Sequence, residues 1–245
     1  MKKIIALFLA LPVIHSAADI YMAGDSTMAH YAGKYPPLTG WGMKMQNLCK
    51  DGVTVHNRAV GGRSSKSFIT EKLWEKIMND AKKGDFVIIQ FGHNDAARGD
   101  KNLYRSTYPE NTYRLYLRIY IAEARSKGLI PVLCTQTLLC DFGKDGKLAK
   151  NRPVNEKYVA ACREIARETG CDFIDLNACA MEKLAKLSRA EAESYYMVLK
   201  KGEYPNYPDG RNDRCHLHLR GAEFYAQLFV EQAKKQNLPI AELFK

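Results

Sequence analysis

Five short apolar runs, separated by segments with helical periodicity, constrain the fold of this 245-residue chain more than any other feature. Apolar runs of this length, bounded by Gly, Asp or Asn, are typical of strands buried on both faces of a parallel sheet. Parallel strands that alternate with helices require right-handed crossovers and leave helices on both faces of the sheet. We therefore predict an α/β fold, a three-layer α/β/α sandwich around a five-stranded parallel sheet. The runs begin at Asp19, Val53, Asp85, Leu129 and Asp172.

The segments between these runs carry helical patterns and turn residues. The strongest predicts a helix over 153–169, because Pro153 suits a first helical turn and Gly170 follows its end. The stretch Ser194 to Arg211 is polar, aromatic and rich in Pro and Gly, which predicts a long loop. No repeat or linker divides the chain, so residues 19–245 are predicted to form one domain. Further helices are predicted near 40–48 and over 68–82, 108–126, 177–189 and 221–236.

The N-terminus has the composition of a secretory signal peptide. Two lysines precede the apolar run Ile4 to Ile14, and small residues follow it before Asp19. The run is too short to span a bilayer, and no cysteine follows it closely enough to indicate a lipid anchor. We predict that residues 1–18 are a signal peptide and that the chain is exported, to a periplasm or to the medium. A buried N-terminal strand is the alternative.

The formal net charge of +10 is explained either by an acidic partner or by solubility alone. The 37 Lys and Arg residues are spread along the chain without a long basic run or a nucleic-acid motif, so nucleic acid is not expected. An acidic polysaccharide built from uronic acids suits an exported basic protein. The seven cysteines are scattered, without a Cys-x-x-Cys pair, so a structural zinc site is not expected either.

Polar residues gather where the predicted strands end. Ser26 follows the first strand, at the edge of an open α/β sheet where ligands bind. A serine hydroxyl becomes nucleophilic when an imidazole accepts its proton and a carboxylate orients that imidazole. Asp213 and His216 lie three residues apart, close enough to meet on one turn. The Ser26 and Gly62 backbone N–H groups and the Asn94 side-chain amide, from three successive strand ends, are candidate donors to an oxyanion.

Four blocks in this order resemble the SGNH, or GDSL-type, hydrolases. They are Gly24-Asp25-Ser26, the glycine Gly62, Gly92-His93-Asn94-Asp95 and Asp213-x-x-His216. Longer matches, which include Gly40-Trp41-Gly42 and Gly62 to Ser67, are similar to the rhamnogalacturonan acetylesterases of carbohydrate esterase family 12. The resemblance covers nearly all of the chain after the signal segment. The residues between Asp213 and His216, Arg214 and Cys215, depart from the small polar residues usual in that family.

This resemblance implies a flavodoxin-like fold and a secreted serine esterase that removes acetyl groups from acetylated rhamnogalacturonan. Ser26 would be the nucleophile, His216 the base and then the acid, and Asp213 the residue that orients His216. Neither a metal nor an organic cofactor belongs to this mechanism, and a monomer without a membrane anchor is expected. Three further residues are candidate substrate-binding groups: Arg63 and Lys66 for a uronate carboxylate, and His93.

Other functions compete with this interpretation. Within the enzymes, acetylated xylan or a lipid or thioester is the alternative substrate, because SGNH blocks occur in enzymes with such substrates. A metal-dependent deacetylase would use Asp213, Cys215, His216 and His218 as zinc ligands, although residues so closely spaced do not easily reach one ion. A non-catalytic carbohydrate-binding protein would lack a member of the triad, and none is missing.

Overall fold

The computed structural model describes residues 18–31, 33 and 35–245. The predicted signal peptide, residues 1–18, lies outside this part of the chain except for Ala18. Five strands form the main sheet, and two more form a separate hairpin. The sheet strands are β1 Ile20–Gly24, β2 Val55–Asn57, β3 Phe86–Gln90, β4 Ile130–Cys134 and β5 Asp172–Ile174. The hairpin strands are β6 Tyr196–Leu199 and β7 Arg211–Leu217.

Helices cover both faces of the sheet. The α-helices are α1 Ser65–Thr70, α2 Leu73–Asp80, α3 Thr112–Ser126, α4 Pro153–Thr169, α5 Leu176–Leu184, α6 Arg189–Glu193 and α7 Leu219–Lys235. Short 3-10 helices span Trp41–Leu48, Asp100–Asn102 and Pro239–Leu243. Among the residues described, no helix combines the length and apolarity needed to cross a membrane.

The main sheet is wholly parallel, with the strand order β2-β1-β3-β4-β5. This is the flavodoxin-like order. The predicted α/β/α sandwich with five parallel strands is therefore confirmed. From the central pair β1 and β3 the chain builds outward in opposite directions, and ligands of such sheets bind in the crevice outside the carboxyl ends of the strands at that point.

The strand β1 shows how the core divides into two layers. Alternate side chains of a strand point to opposite faces. Ile20 and Met22 pack into one core with α5, α7 and the 3-10 helix Trp41–Leu48, whereas Tyr21 and Ala23 pack into the other with α1 to α4. All five residues of β1 are buried, which is why the run is continuously apolar.

The structure corrects several element boundaries. The helix predicted over 68–82 is two helices, because Lys72 adopts a left-handed conformation with φ 60° between α1 and α2. The helix predicted over 177–189 ends at Leu184, and α6 follows after a short turn. The loop predicted over 194–211 contains β6 and the first residue of β7.

Candidate active site

A tight turn after β1 presents Ser26 at the carboxyl edge of the sheet. The buried Asp25 organises this turn: its Oδ1 accepts hydrogen bonds from Thr27 N at 2.9 Å and Thr27 Oγ1 at 2.8 Å. Its backbone oxygen accepts from Met28 N and Ala29 N. Ser26 itself is half-buried, so its hydroxyl faces the crevice while its neighbours on both sides are packed into the protein.

A bulge in β7 brings Asp213 and His216 together. Asp213 pairs with Met197 of β6, and Leu217 pairs with Tyr196, so residues 214–216 have no partner across the hairpin. Asp213 Oδ1 accepts the backbone N–H groups of Cys215 and His216, both at 3.0 Å. The two residues therefore meet on a bulged strand held in a local turn by the carboxylate, where the sequence suggested a simple turn.

Hydrogen bonds join the three predicted triad residues in sequence. His216 Nδ1 lies 2.7 Å from Asp213 Oδ2, and His216 Nε2 lies 2.9 Å from Ser26 Oγ. Burial alone would raise the pKa of Asp213, but hydrogen bonds from the His216 ring and from backbone N–H groups outweigh it and hold this pKa well below its usual range. Asp213 is thus ionised and accepts a hydrogen bond from the protonated Nδ1 of His216. In this tautomer Nε2 carries no proton and faces the serine hydroxyl.

Backbone hydrogen bonds fix the hairpin against the loops on both sides of it. Thr39 N donates to Leu217 O at 3.0 Å, and Cys140 N donates to Arg214 O at 2.9 Å. His218, just beyond β7, caps α7, since its Nδ1 accepts from Arg220 N. The position of His216 relative to Ser26 therefore depends on the hairpin and its flanking loops, and β7 does not pair with the five-stranded sheet.

Arg211 is a site residue that the sequence reasoning missed. Its Nη2 and Nε donate to Asp213 Oδ2 at 2.6 and 3.1 Å, so this oxygen serves both the guanidinium and the imidazole of His216. The guanidinium also lies over the ring of Tyr207, 5.4 Å from its centroid. Residues two apart on a strand share a face, which is the signal that links Arg211 to Asp213 once β7 is known.

The two further residues predicted for an oxyanion hole lie in segments that Arg105 joins, and Gly61, next to Gly62, lies beside the serine. Gly62 follows Gly61 in a turn with φ +79°, and a Cβ on Gly61 would lie 3.6 Å from the Ser26 Cβ. Asn94 Nδ2 donates to Arg63 O at 3.0 Å, which engages one of its two hydrogens. The structure thus places both segments at the site, and their role with an oxyanion remains a prediction.

Arg105, also missed from sequence, clamps these two segments together. Its Nη1 donates to Asn94 Oδ1 at 3.1 Å and to Gly62 O at 3.3 Å. Its Nε and Nη2 hold Asn102 Oδ1. Because Asn94 Oδ1 accepts from the guanidinium and Nδ2 donates to Arg63 O, the orientation of the amide is fixed.

Asp95, the last residue of the Gly92-His93-Asn94-Asp95 block, is a buried support and not a surface group. Its carboxylate accepts hydrogen bonds from Ser65 N, Ser65 Oγ and Thr107 Oγ1. Burial raises the pKa of Asp95 to about 6 even though these hydrogen bonds favour the ionised form. The carboxylate ties the segment after β3 to the start of α1 and thereby positions Asn94.

The three predicted substrate-binding residues have different surroundings. Arg63 is engaged by Glu71, with Nε 2.9 Å from Oε2, and Lys66 Nζ donates to Leu103 O at 2.8 Å. His93 Nε2 lies 3.0 Å from Thr137 Oγ1. Burial lowers the pKa of His93, so its ring is neutral near pH 7. Of the three, His93 lines a cleft of about 260 Å³ that also reaches Cys215, next to His216.

The zinc alternative has no geometric support. Asp213 and His216 bond to each other, and His218 Nε2 lies 2.9 Å from the Tyr204 hydroxyl. Within residues 18–31, 33 and 35–245, no three His, Cys, Asp or Glu side chains are grouped so that they could hold one ion. All seven cysteines are free, and burial raises the pKa of Cys215, which keeps it a thiol.

A serine, a histidine and an aspartate linked in this order form the arrangement that several unrelated α/β folds use for acyl transfer. The chain belongs to the GDSL-like Lipase/Acylhydrolase family, whose sequence model matches residues 22–239. It is therefore an ester hydrolase of that family, as the four sequence blocks predicted.

Known proteins resemble the chain over most of its length. It is 31% identical over 224 residues to the rhamnogalacturonan acetylesterase RhgT of Bacillus subtilis, covering 91% of this chain and 93% of that one. It is 26% identical over 244 residues to a rhamnogalacturonan acetylesterase of Emericella nidulans, covering 94% and 91%. The crystal structure of the Bacillus subtilis protein YxiM matches with a TM-score of 0.75 at 25% identity, over 91% of this chain and 57% of that chain.

Proposed function

We propose that this chain is an exported esterase that removes acetyl groups from acetylated rhamnogalacturonan, the acidic backbone polymer of pectin. The observation that carries the proposal is the hydrogen-bonded series Asp213–His216–Ser26. Asp213 Oδ2 lies 2.7 Å from His216 Nδ1, and His216 Nε2 lies 2.9 Å from Ser26 Oγ. Contacts this short place a base within proton-transfer reach of the hydroxyl. The relatives RhgT and the Emericella nidulans enzyme are named rhamnogalacturonan acetylesterases, which supports an acetyl ester on a polysaccharide as the substrate.

The proposed reaction proceeds in two halves. Ser26 Oγ attacks the acetyl carbonyl carbon while its proton passes to His216 Nε2, and the carbonyl oxygen becomes an oxyanion. The Ser26 and Gly62 N–H groups and the Asn94 amide stabilise that charge. The carbon–oxygen bond to the sugar then breaks, and His216 returns the proton to the leaving sugar hydroxyl.

Water completes the reaction on the acetyl-enzyme. His216 takes a proton from a water molecule, whose oxygen attacks the same carbonyl carbon. Collapse of the second tetrahedral intermediate releases acetate, and the proton returns to Ser26 Oγ. Asp213 stays ionised throughout and stabilises the imidazolium that forms in each half.

The substrate preference follows from charge and relatedness together. The net charge of +10, to which Lys2 and Lys3 of the predicted signal peptide contribute two, favours approach of an acidic polymer over a neutral one. Acetylxylan esterase Axe2 of Geobacillus stearothermophilus also matches, with a TM-score of 0.61 over 89% of this chain, but at 20% identity it supports the fold alone. Acetylated rhamnogalacturonan is therefore the proposed substrate, and acetylated xylan is the comparison.

One experiment tests mechanism and substrate together. Acetate release is measured from acetylated rhamnogalacturonan and from acetylated xylan, with the wild type and with Ser26→Ala. We expect higher kcat/KM on rhamnogalacturonan, and a loss in Ser26→Ala of at least about a thousandfold on either substrate. A folded Ser26→Ala protein with near-normal turnover would exclude the serine mechanism, and a preference for xylan would exclude the substrate.

Export is a separate part of the proposal, supported by the sequence of residues 1–18 alone. If it holds, the protein recovered outside the cytoplasm begins near Asp19, the residue before β1. Mass spectrometry of that N-terminus is the measurement. A secreted protein that retains Met1 would contradict cleavage of a signal peptide, and a protein found only in the cytoplasm would contradict export.

A further inference from the structure

A cleft beside the triad adjoins a second groove. The first cleft, of about 260 Å³, is lined by His93, Cys215 and Arg152 among others. The second, of about 380 Å³, is lined by Arg98, Tyr108 and Lys157 among others. Val154, in the first turn of α4, lines both, so the two clefts adjoin at this residue and together form a trough whose near end lies at Cys215, the neighbour of His216. An acetyl group alone does not need a site of this extent.

This trough, the Arg152–Tyr108 groove, carries an excess of positive charge. Three of its lining residues are cations, Arg98, Arg152 and Lys157, and Glu110 is the one carboxylate that lines it among the described residues. Lys157 Nζ and Glu110 Oε1 are 3.7 Å apart and both side chains are about two thirds exposed, so their pairing is weak. Asp141, which is paired with Arg152, offsets part of this charge, and the positive charge that remains favours an anionic ligand.

Arg98 is a fixed part of the groove wall. Its Nη1 donates to the carbonyl oxygens of Asp95 and Ala97, and its Nη2 donates to the Tyr158 hydroxyl at 2.8 Å. Its guanidinium lies over the Tyr108 ring, 5.0 Å from the centroid. Tyr108 is held there although it is 54% exposed. The exposed surface of this aromatic ring suits the apolar face of a sugar ring.

Arg152 is the cation best placed to contact a substrate at the triad. It lines the same cleft as Cys215, the neighbour of His216. Its Nε donates to Asp141 Oδ2 at 2.8 Å, which orients a side chain that is 64% exposed. No bond from either Nη of Arg152 occurs in the described part of the chain, whereas Arg63 Nη1 donates to Gly61 O and its Nη2 pairs with Glu71 Oε2. A guanidinium edge with both Nη groups available binds a carboxylate in a bidentate manner.

We propose that the Arg152–Tyr108 groove binds the polymer on one side of the acetylated sugar, with Arg152 pairing with a uronate carboxylate and Tyr108 packing against a more distant sugar ring. This rests on the proposed function, because it takes the acidic polysaccharide as the substrate of the triad. Under this proposal Arg152 binds the uronate carboxylate, in place of Arg63 and Lys66.

The kinetic test compares Arg152→Gln with Arg118→Gln. Arg118 is a matched control, because its guanidinium also binds an exposed carboxylate, that of Glu168, on the outer surface of α3. For Arg152→Gln, kcat/KM on acetylated rhamnogalacturonan should fall roughly tenfold more than on acetylated xylan, chiefly through KM, as expected for one charge-assisted pair. Arg118→Gln should match the wild type on both. Equal losses on the two polymers, or no loss on the acidic one, would overturn the proposal.

A binding measurement separates the groove from the proposed function. An unacetylated oligogalacturonide is titrated calorimetrically into wild type, Arg152→Gln and Arg118→Gln, with a neutral xylo-oligosaccharide as the comparison. We expect wild type and Arg118→Gln to bind the acidic oligosaccharide alike and Arg152→Gln to bind it roughly tenfold more weakly. If the wild type released no acetate from rhamnogalacturonan, the proposed function would fail while this titration still decided the groove. Absence of oligogalacturonide binding to the wild type would reject the groove itself.

Discussion

The buried carboxyl group of Asp95 makes the stability of this enzyme depend on pH in a predictable direction. Its pKa rises from 3.8 in a model peptide to about 6 in the folded chain, chiefly through burial. The folded state therefore binds a proton that the unfolded state has already lost between these two values. The corresponding stability is fully present below about pH 4 and is lost as pH rises through 6. A shift of about two pH units corresponds to about 3 kcal/mol.

Asp95→Asn isolates this effect, because an amide has the same shape and does not ionise. Its oxygen can accept the Ser65 N–H, and its NH₂ group can donate to the hydroxyl oxygens of Ser65 and Thr107 that now donate to the carboxylate. The variant should therefore gain stability relative to the wild type as pH rises, by about 3 kcal/mol between pH 4 and 7, with no further change above pH 7.

Urea unfolding followed by tryptophan fluorescence, repeated from pH 4 to 8, measures this difference in the free energy of unfolding. Asp100→Asn, which removes an exposed carboxylate in the next segment, serves as the control and should follow the wild type. Parallel curves for wild type and Asp95→Asn across this range would refute the reasoning. So would a difference that changes in the opposite direction.

Two further predictions concern the triad and its support. Asp213→Asn should lower kcat for acetate release by about 10⁴ without unfolding the chain, because the amide no longer selects the His216 tautomer that faces Ser26; a loss below tenfold would show that Asp213 is not needed to orient the ring. Gly92→Ala should destabilise the fold by about 2–5 kcal/mol, because φ is +145° and the new Cβ would lie 1.9 Å from Gln136 Oε1. Gly146→Ala, with φ +76° and no atom within 4 Å, should cost about 1–2 kcal/mol, and equal thermal shifts for the two variants would contradict the steric explanation.

The sequence predicts the elements whose signals are local. The helix α4 has the predicted bounds, because proline marks its start and Gly170 its end. The break between α1 and α2 was missed, because it falls at Lys72, a residue that seldom adopts a left-handed conformation. The strand β7 was missed for another reason. Its residues show no apolar alternation, and its partner β6 lies beyond a Pro- and Gly-rich segment.

In the candidate site, too, some residues could be predicted from the sequence and others could not. Ser26, Asp213 and His216 could be identified from residue type and order, and the structure brings them into contact. Arg211 and Arg105 could not, because their partners are set by strand register and by a loop contact. The order of residues along a chain does not reveal which of its many arginines contact the residues of the site.

The hairpin of β6 and β7 packs on the same core as β1 but outside the five-stranded sheet, so the nucleophile follows a sheet strand and the base comes from the hairpin. His216 reaches Ser26 across 190 positions of chain and from outside the five-stranded sheet. A spectroscopic signal from the sheet alone does not show that the hairpin is also in place and the site assembled. Turnover reports it directly, so recovery of activity after dilution from denaturant is the more stringent measure of complete folding for this enzyme.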